Sequence, residues 1–224
     1  MIAQELKPIS EILDSLEDRT SIVLVGCGGC AEMYGTGGEE DLKSMSATLE
    51  EKGKKVTAEI TYDTGEFACN ASWSKRHLMM NRNEIGEADA ILAQTCGDGL
   101  QTVREIVDEK IGTTIPILPA VDTIGLMGGG PKEFIEECRQ CGECLLGQYA
   151  GICPLTRCAK GLLNGPCGGV REDGKCEVDP DKNCGWIMIY ERLEELGEAD
   201  KMAKFSPAKN WDKQNSPRSI NLSR

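Results

Sequence analysis

Four short apolar runs, each separated from the next by a stretch of helical spacing, dominate the first 131 residues. Ser21 to Val25 (SIVLV), Val56 to Ile60 (VTAEI), Ala88 to Ala93 (ADAILA) and Ile115 to Leu118 (IPIL) are short and apolar, which predicts buried strands. Apolar positions at Ile9, Ile12, Leu13 and Leu16 predict an amphipathic helix ahead of the first strand. Further helices are expected near Glu39 to Lys52, Lys75 to Glu84 and Leu100 to Glu109. Alternation of this kind predicts an α/β domain with a Rossmann-like open parallel sheet over residues 1–131.

The pattern changes at Gly128-Gly129-Gly130-Pro131, where a second domain is expected to start. Lys132 to Glu137 reads as a short helix. From Cys138 to Cys184 there are eight cysteines among Gly-rich turns (NGPCGG, EDGKC) and few large apolar residues, so metal is expected to stabilise this small Cys/Gly-rich module. Trp186 to Leu196 (WIMIYERLEEL) predicts a closing amphipathic helix with Ile187, Ile189, Tyr190 and Leu193 sharing one face, which completes a module over 132–198. Residues 199–224 form a polar tail with six Lys and Arg against two Asp. That tail is either a frayed end or a segment that folds onto a partner through Phe205 and Trp211.

Charge and composition narrow the functions. A net charge of -12 repels phosphate backbones, and no basic stripe follows any predicted element, so nucleic acid is not an expected partner. No apolar run reaches the roughly 18 residues of a membrane span. The first segment, MIAQELKPISEILDSLEDR, is acidic and lacks the apolar stretch of a secretory signal, so the chain is expected to be cytoplasmic. Three Trp, four Tyr and three Phe are few for a large aromatic-lined substrate cavity, which favours a carrier or accessory subunit. No Ser-His-Asp set, carboxylate pair or phosphate-binding loop is present, and no catalytic residue is named.

Twelve cysteines remain to be explained. Cytosolic thiols are kept reduced, so spaced cysteines there are metal ligands or redox catalysts more often than disulfides. Cys138-x2-Cys141-x2-Cys144 has the spacing that wraps one face of an iron-sulfur cubane; ferredoxins close that opening with Cys-Pro, and here Cys153-Pro154 follows after a longer spacer. With Cys158, Cys167, Cys176 and Cys184 the module has eight cysteines, enough for two four-cysteine sites whose partition the sequence leaves open. Cys27 and Cys30 (GCGGC), Cys69 and Cys96 (TCGDG) all follow predicted strands. They should therefore meet at one sheet edge as a third site, unless Cys69 or Cys96 is merely a buried small side chain. The alternatives are four-thiolate zinc, or one cluster and one zinc in the module. Gly26-x-Gly28-x-x-Ala31 also mimics a dinucleotide fingerprint, but lacks its acidic partner. His77 is expected to pack on a helix near Cys69.

The run CRQCGECLLGQYAGICPLTRCAKGLLNGPCGGVREDGKCEVDPDKNCGW, followed by IMIYERLEEL, resembles the methylenetetrahydrofolate reductase C-terminal domain family, the MetV-type small subunits of acetogens and related anaerobes. NGPCGG and CPLTRC carry the resemblance most specifically, and it extends over about residues 20–198. It implies an iron-sulfur subunit that exchanges electrons with a flavin-containing MetF-type reductase, with ferredoxin or a heterodisulfide-reductase-like complex as remote partner. The folate chemistry would belong to the flavoprotein. Residues and resemblance together lead to the expectation of three 4Fe-4S clusters, or two with none or one zinc, in an electron-transfer subunit. The rival readings are a zinc-stabilised scaffold that binds a small ligand, and a thiol redox enzyme using Cys27 and Cys30.

Overall fold

The computed structural model describes residues 1–130, 132–214 and 217–220. Pro131 of the expected boundary, and tail residues 215–216 and 221–224, lie outside the described residues. The chain divides into two compact units, Met1–Phe134 and Ile135–Arg224.

The first unit contains β1 (Ile2–Leu6), α1 (Ile9–Leu16), β2 (Ser21–Val25), α2 (Cys30–Met33), α3 (Glu39–Glu51) and β3 (Lys55–Ile60). There follow α4 (Ala71–Met80), α5 (Arg82–Glu87), β4 (Ala90–Ala93), α6 (Gly97–Ile106), β5 (Ile117–Pro119) and β6 (Val121–Leu126). Strands β3-β2-β4-β5, in that order, form a four-stranded parallel sheet, so the expected α/β class with a Rossmann-like sheet holds. Alternate residues of β2 serve opposite faces. Ile22 and Leu24 join Ile12, Leu16, Leu42 and Leu49 of α1 and α3 on one side. Val23 and Val25 join Leu78, Ile85, Val103 and Ile106 of α4 to α6 on the other. A strand covered on both faces must be apolar at every position, which is why SIVLV is a continuous run.

Several boundaries differ from expectation. The stretch expected over Lys75 to Glu84 is two helices. Asn70 caps α4, its side-chain oxygen accepting from Ser72 N at 3.0 Å and Trp73 N at 3.2 Å, so the helix starts four residues early. It ends at Asn81, beyond which α5 begins. Helix α6 starts at Gly97, directly after Cys96, and widens into a π-turn over Val107–Ile111 that Gly112 closes with φ of 80°. Lys132 to Glu137 is not a helix. Six residues close too few backbone hydrogen bonds to offset nucleation, and the Phe134 ring lies over Gly125. Strands β1 and β6 are absent from the sequence reading; they pair antiparallel from Ile2↔Leu126 to Leu6↔Val121.

The second unit contains the short helix α7 (Pro154–Arg157) and the closing helix α8 (Gly185–Glu195). Tyr149, Trp186, Ile189 and Leu193 are buried, with Leu145, Ile152, Leu162 and Met202 packed around them. The Tyr149 and Trp186 rings meet edge to face at 5.2 Å; Tyr149 Oη donates to Leu163 O at 2.8 Å and Trp186 Nε1 to Leu162 O at 3.2 Å. The buried stripe of α8 is therefore Trp186, Ile189 and Leu193, spaced three and four apart. Tyr190, expected on that face, points outward and donates to Glu194.

Candidate metal centres

Cys27, Cys30, Cys69 and Cys96 follow the carboxyl ends of β2, β3 and β4, with Cys27 and Cys96 flanking the crevice between β2 and β4 where the chain reverses its direction across the sheet. Cys27 and Cys96 are buried, Cys30 is half-buried and Cys69 exposed; all four thiols are free. Backbone amides face two of the sulfurs: Ala68 N donates to Cys27 Sγ at 3.4 Å and Ile2 N to Cys30 Sγ at 3.3 Å. Burial pushes the Cys69 thiol up to about 11, assisted by negative charge on Asp98, Cys96 and Cys27. Four cysteines at one sheet edge, two of them facing backbone amides, have the donor chemistry of a metal centre.

The loop around Cys27 is locked from both sides. Gly65 N donates to Gly28 O at 2.6 Å, and a Cβ on Gly28 would run into the carbonyl oxygens of Asp63 and Tyr62. A Cβ on Gly29 would enter the Phe67 ring. In a dinucleotide site the second glycine makes room for pyrophosphate; here carbonyl oxygens fill that room, and the fingerprint-like spacing serves loop packing instead. His77 lies on α4, as expected for a packing residue. Its Nε2 is 2.6 Å from Glu66 Oε2 and its ring is 4.5 Å from that of Tyr62. The Glu66 carboxyl is held below its usual range by His77 and Arg76, and its loop carries the Ala68 amide to Cys27.

In the second unit, Cys138, Cys141, Cys144 and Cys153 line one cavity of about 220 Å³, together with Leu145, Leu146 and Leu155. The triple-cysteine run and the Cys-Pro that follows it thus border the same cavity, with Cys138 and Cys144 exposed and Cys141 and Cys153 half-buried. The run is wound by two left-handed residues, Gln140 at φ 54° and Gly142 at φ 73°, and the Gln140 amide turns in to donate to Cys138 Sγ at 3.4 Å. Burial pushes the Cys141 thiol up, but the Glu143 backbone and the Lys209 ammonium outweigh it and hold the thiol below its ordinary value. Four thiols, an inward amide, a nearby cation and an apolar wall suit an anionic cluster.

The other four cysteines have different surroundings. Cys167 Sγ is 3.3 Å from Glu177 Oε1, which adjoins Cys176, and Lys160 pairs with the same carboxylate. Cys158 and Cys184 pack in the apolar cluster of Trp186. Backbone bonds from Cys176 N to Lys182 O and from Cys184 N to Gly174 O close the loop that carries Cys176 and Cys184. Among the described residues, no three or more His, Cys, Asp or Glu side chains are gathered closely enough to hold a metal ion.

The sequence reading missed several residues at these sites. Ile2 is on a strand that forms only by pairing with β6. Thr123 of β6 accepts from Gly97 N at 2.9 Å beside Cys96, and Lys209 comes from the tail. Nothing local marked the first two; an excess of lysine in the tail was the only signal for the third.

Residues 118–212 match the family described as methylene-tetrahydrofolate reductase C terminal. The match covers less than half of the chain. It excludes the β2 to β4 cysteines and extends beyond residue 198 as far as Asp212, so the resemblance is shorter at its start and longer at its end than the sequence motifs suggested. No curated protein and no solved structure matched the chain. Among the described residues no helix is long and apolar enough to cross a membrane.

Proposed function

We propose that the chain is an iron-sulfur electron-transfer subunit serving a flavin-containing methylenetetrahydrofolate reductase of the MetF type. The observation that carries this reading is the convergence of Cys138, Cys141, Cys144 and Cys153 on one cavity within the segment that matches the reductase family. In this reading Cys27, Cys30, Cys69 and Cys96 hold a second cluster, and Cys158, Cys167, Cys176 and Cys184 a third. When bound, such clusters supply one-electron steps, so that several of them can divide the two electrons of a flavin.

The chain's own residues set the conditions for that chemistry. The amides of Ala68, Ile2, Gln140 and Gly169 donate to the sulfurs of Cys27, Cys30, Cys138 and Cys167. Leu145, Leu146 and Leu155 give one wall of the cavity an apolar lining. No residue is assigned a role on folate, which is the partner's substrate in this reading.

The test is anaerobic iron and acid-labile sulfide analysis of the purified chain, with its visible and electron paramagnetic resonance spectra. About twelve iron with equal sulfide is expected, at four cysteines per cluster. About eight would remove one site, and a colourless zinc protein would overturn the reading in favour of a scaffold. Co-purification with a flavoprotein then tests the partner: a chain that carries its clusters but neither binds nor reduces a flavoprotein is not a subunit of this kind.

A further inference from the structure

Residues 206–214 of the tail turn back onto the cysteine run of their own unit. Asn164 and Ser206 exchange two hydrogen bonds, Asn164 Nδ2 to Ser206 O at 3.0 Å and Ser206 N to Asn164 Oδ1 at 2.7 Å. Asn210 N donates to Glu143 Oε2 at 2.9 Å, and Gln214 Nε2 to Arg139 O at 3.0 Å. Between these anchors the Lys209 side chain is only 2% exposed. Its ammonium donates to the Glu143 carbonyl oxygen, the same atom that the Cys141 thiol approaches at 3.5 Å.

Glu143 is the carboxylate beside this ammonium, at 3.7 Å, and Lys213 shares that carboxylate at 3.6 Å. The other charged side chains on the cavity wall, Glu137 and Arg139, are engaged with Arg157 and Glu136. Two ammonium groups thus share one carboxylate, and one of the two is almost fully removed from water. A buried lysine needs compensation: the Trp211 ring lies 6.0 Å from this ammonium, and the Cys141 sulfur, which meets the same carbonyl oxygen, brings negative charge within reach when a cluster is bound.

We infer that Lys209 is a positioning residue that sets the potential of the cluster held by Cys138, Cys141, Cys144 and Cys153, with the tail as the strap that delivers its charge. This rests on the iron-sulfur reading above. One electron enters the site, and no bond is made or broken. Its fixed positive charge stabilises the more negative, reduced state and so raises the potential of that cluster above what the same ligands would give alone.

The experiment uses the anaerobically purified full chain, dithionite as reductant, and potentiometric titration followed by electron paramagnetic resonance. In Lys209→Met one cluster is expected to become at least tenfold harder to reduce, about 59 mV for a one-electron couple. The other clusters should stay in place, and Lys209→Arg should restore most of the shift. Unchanged potentials in Lys209→Met, with full iron content, would overturn the inference and leave the strap a structural role. Should Lys209→Met lose iron, Lys209→Arg decides: retention of iron and potential supports the charge, and equal loss overturns it. Asn164→Ala loosens the strap without removing the ammonium and should increase proteolysis within 199–214 together with a smaller shift in the same cluster; looser cleavage without any shift would count against the strap. A wild-type chain with no reducible centre would instead reject the iron-sulfur reading itself.

Discussion

The two units of this chain solve the problem of stability by opposite means. The first buries both faces of a parallel sheet, with Ile22, Leu24, Ile91 and Leu92 wholly inside, and places its cysteines only at the sheet edge. The second buries Tyr149, Trp186, Ile189 and Leu193 under one helix and spreads eight cysteines through glycine-rich turns. Apolar burial contributes about 25 cal/mol per Å², so a cluster of four side chains offsets little of the conformational entropy of a unit of this length. From this difference we expect the first unit to tolerate loss of its cysteines and the second to depend on them for its fold.

Metal removal is expected to have the largest effect. Chelation, or Cys141→Ser, should abolish the protease resistance of the second unit while the first keeps its circular dichroism; Cys27→Ser should deplete colour and leave both units folded. Equal unfolding in the two variants would erase the contrast. Next comes Trp186→Ala, which removes the centre of the small apolar cluster and the hydrogen bond to Leu162 O. It should destabilise the second unit by about 3–5 kcal/mol, enough to unfold it even with metal present, as read by denaturant titration of Tyr149 fluorescence and proteolysis.

Leu92→Ala, in the middle of the parallel sheet, should cost about 2–5 kcal/mol and leave the first unit destabilised but folded, because many other side chains share that core. A complete collapse would show that the first unit has less reserve than its burial implies. The smallest effect is expected at Asp89. Its carboxylate accepts from Ser21 N and Thr20 N, both at 2.8 Å, and is held below its usual value by those two amides. A lowered folded value contributes stability that is present above the unfolded value and lost as pH falls through the folded one. Asp89→Asn should therefore melt below wild type at neutral pH, and the gap should close below about pH 4. A gap that persists in acid would assign the effect to geometry, not charge.

Sequence alone determined the α/β class and the strands β2 to β5, because a continuous apolar run such as SIVLV has few other places to go. It also determined which cysteines lie at strand ends, since a parallel sheet puts every such end on one edge. The closing helix was legible from its spacing, although its buried face was not: Ile189 and Leu193 hold the same stripe whether Trp186 or Tyr190 completes it, and only the position of Tyr149 decides. Tertiary structure decided what depends on segments far apart in the chain. Strands β1 and β6 form by pairing Ile2 with Leu126, and no local pattern in IAQEL or VDTIGL encodes that partner. The grouping of Cys153 with Cys138, Cys141 and Cys144 depends on how the intervening loop folds, and the burial of Lys209 beside Cys141 on a tail that composition marked as solvent-exposed. Period and composition report what one segment prefers; where two distant segments meet is set by the free energy of the whole packed chain.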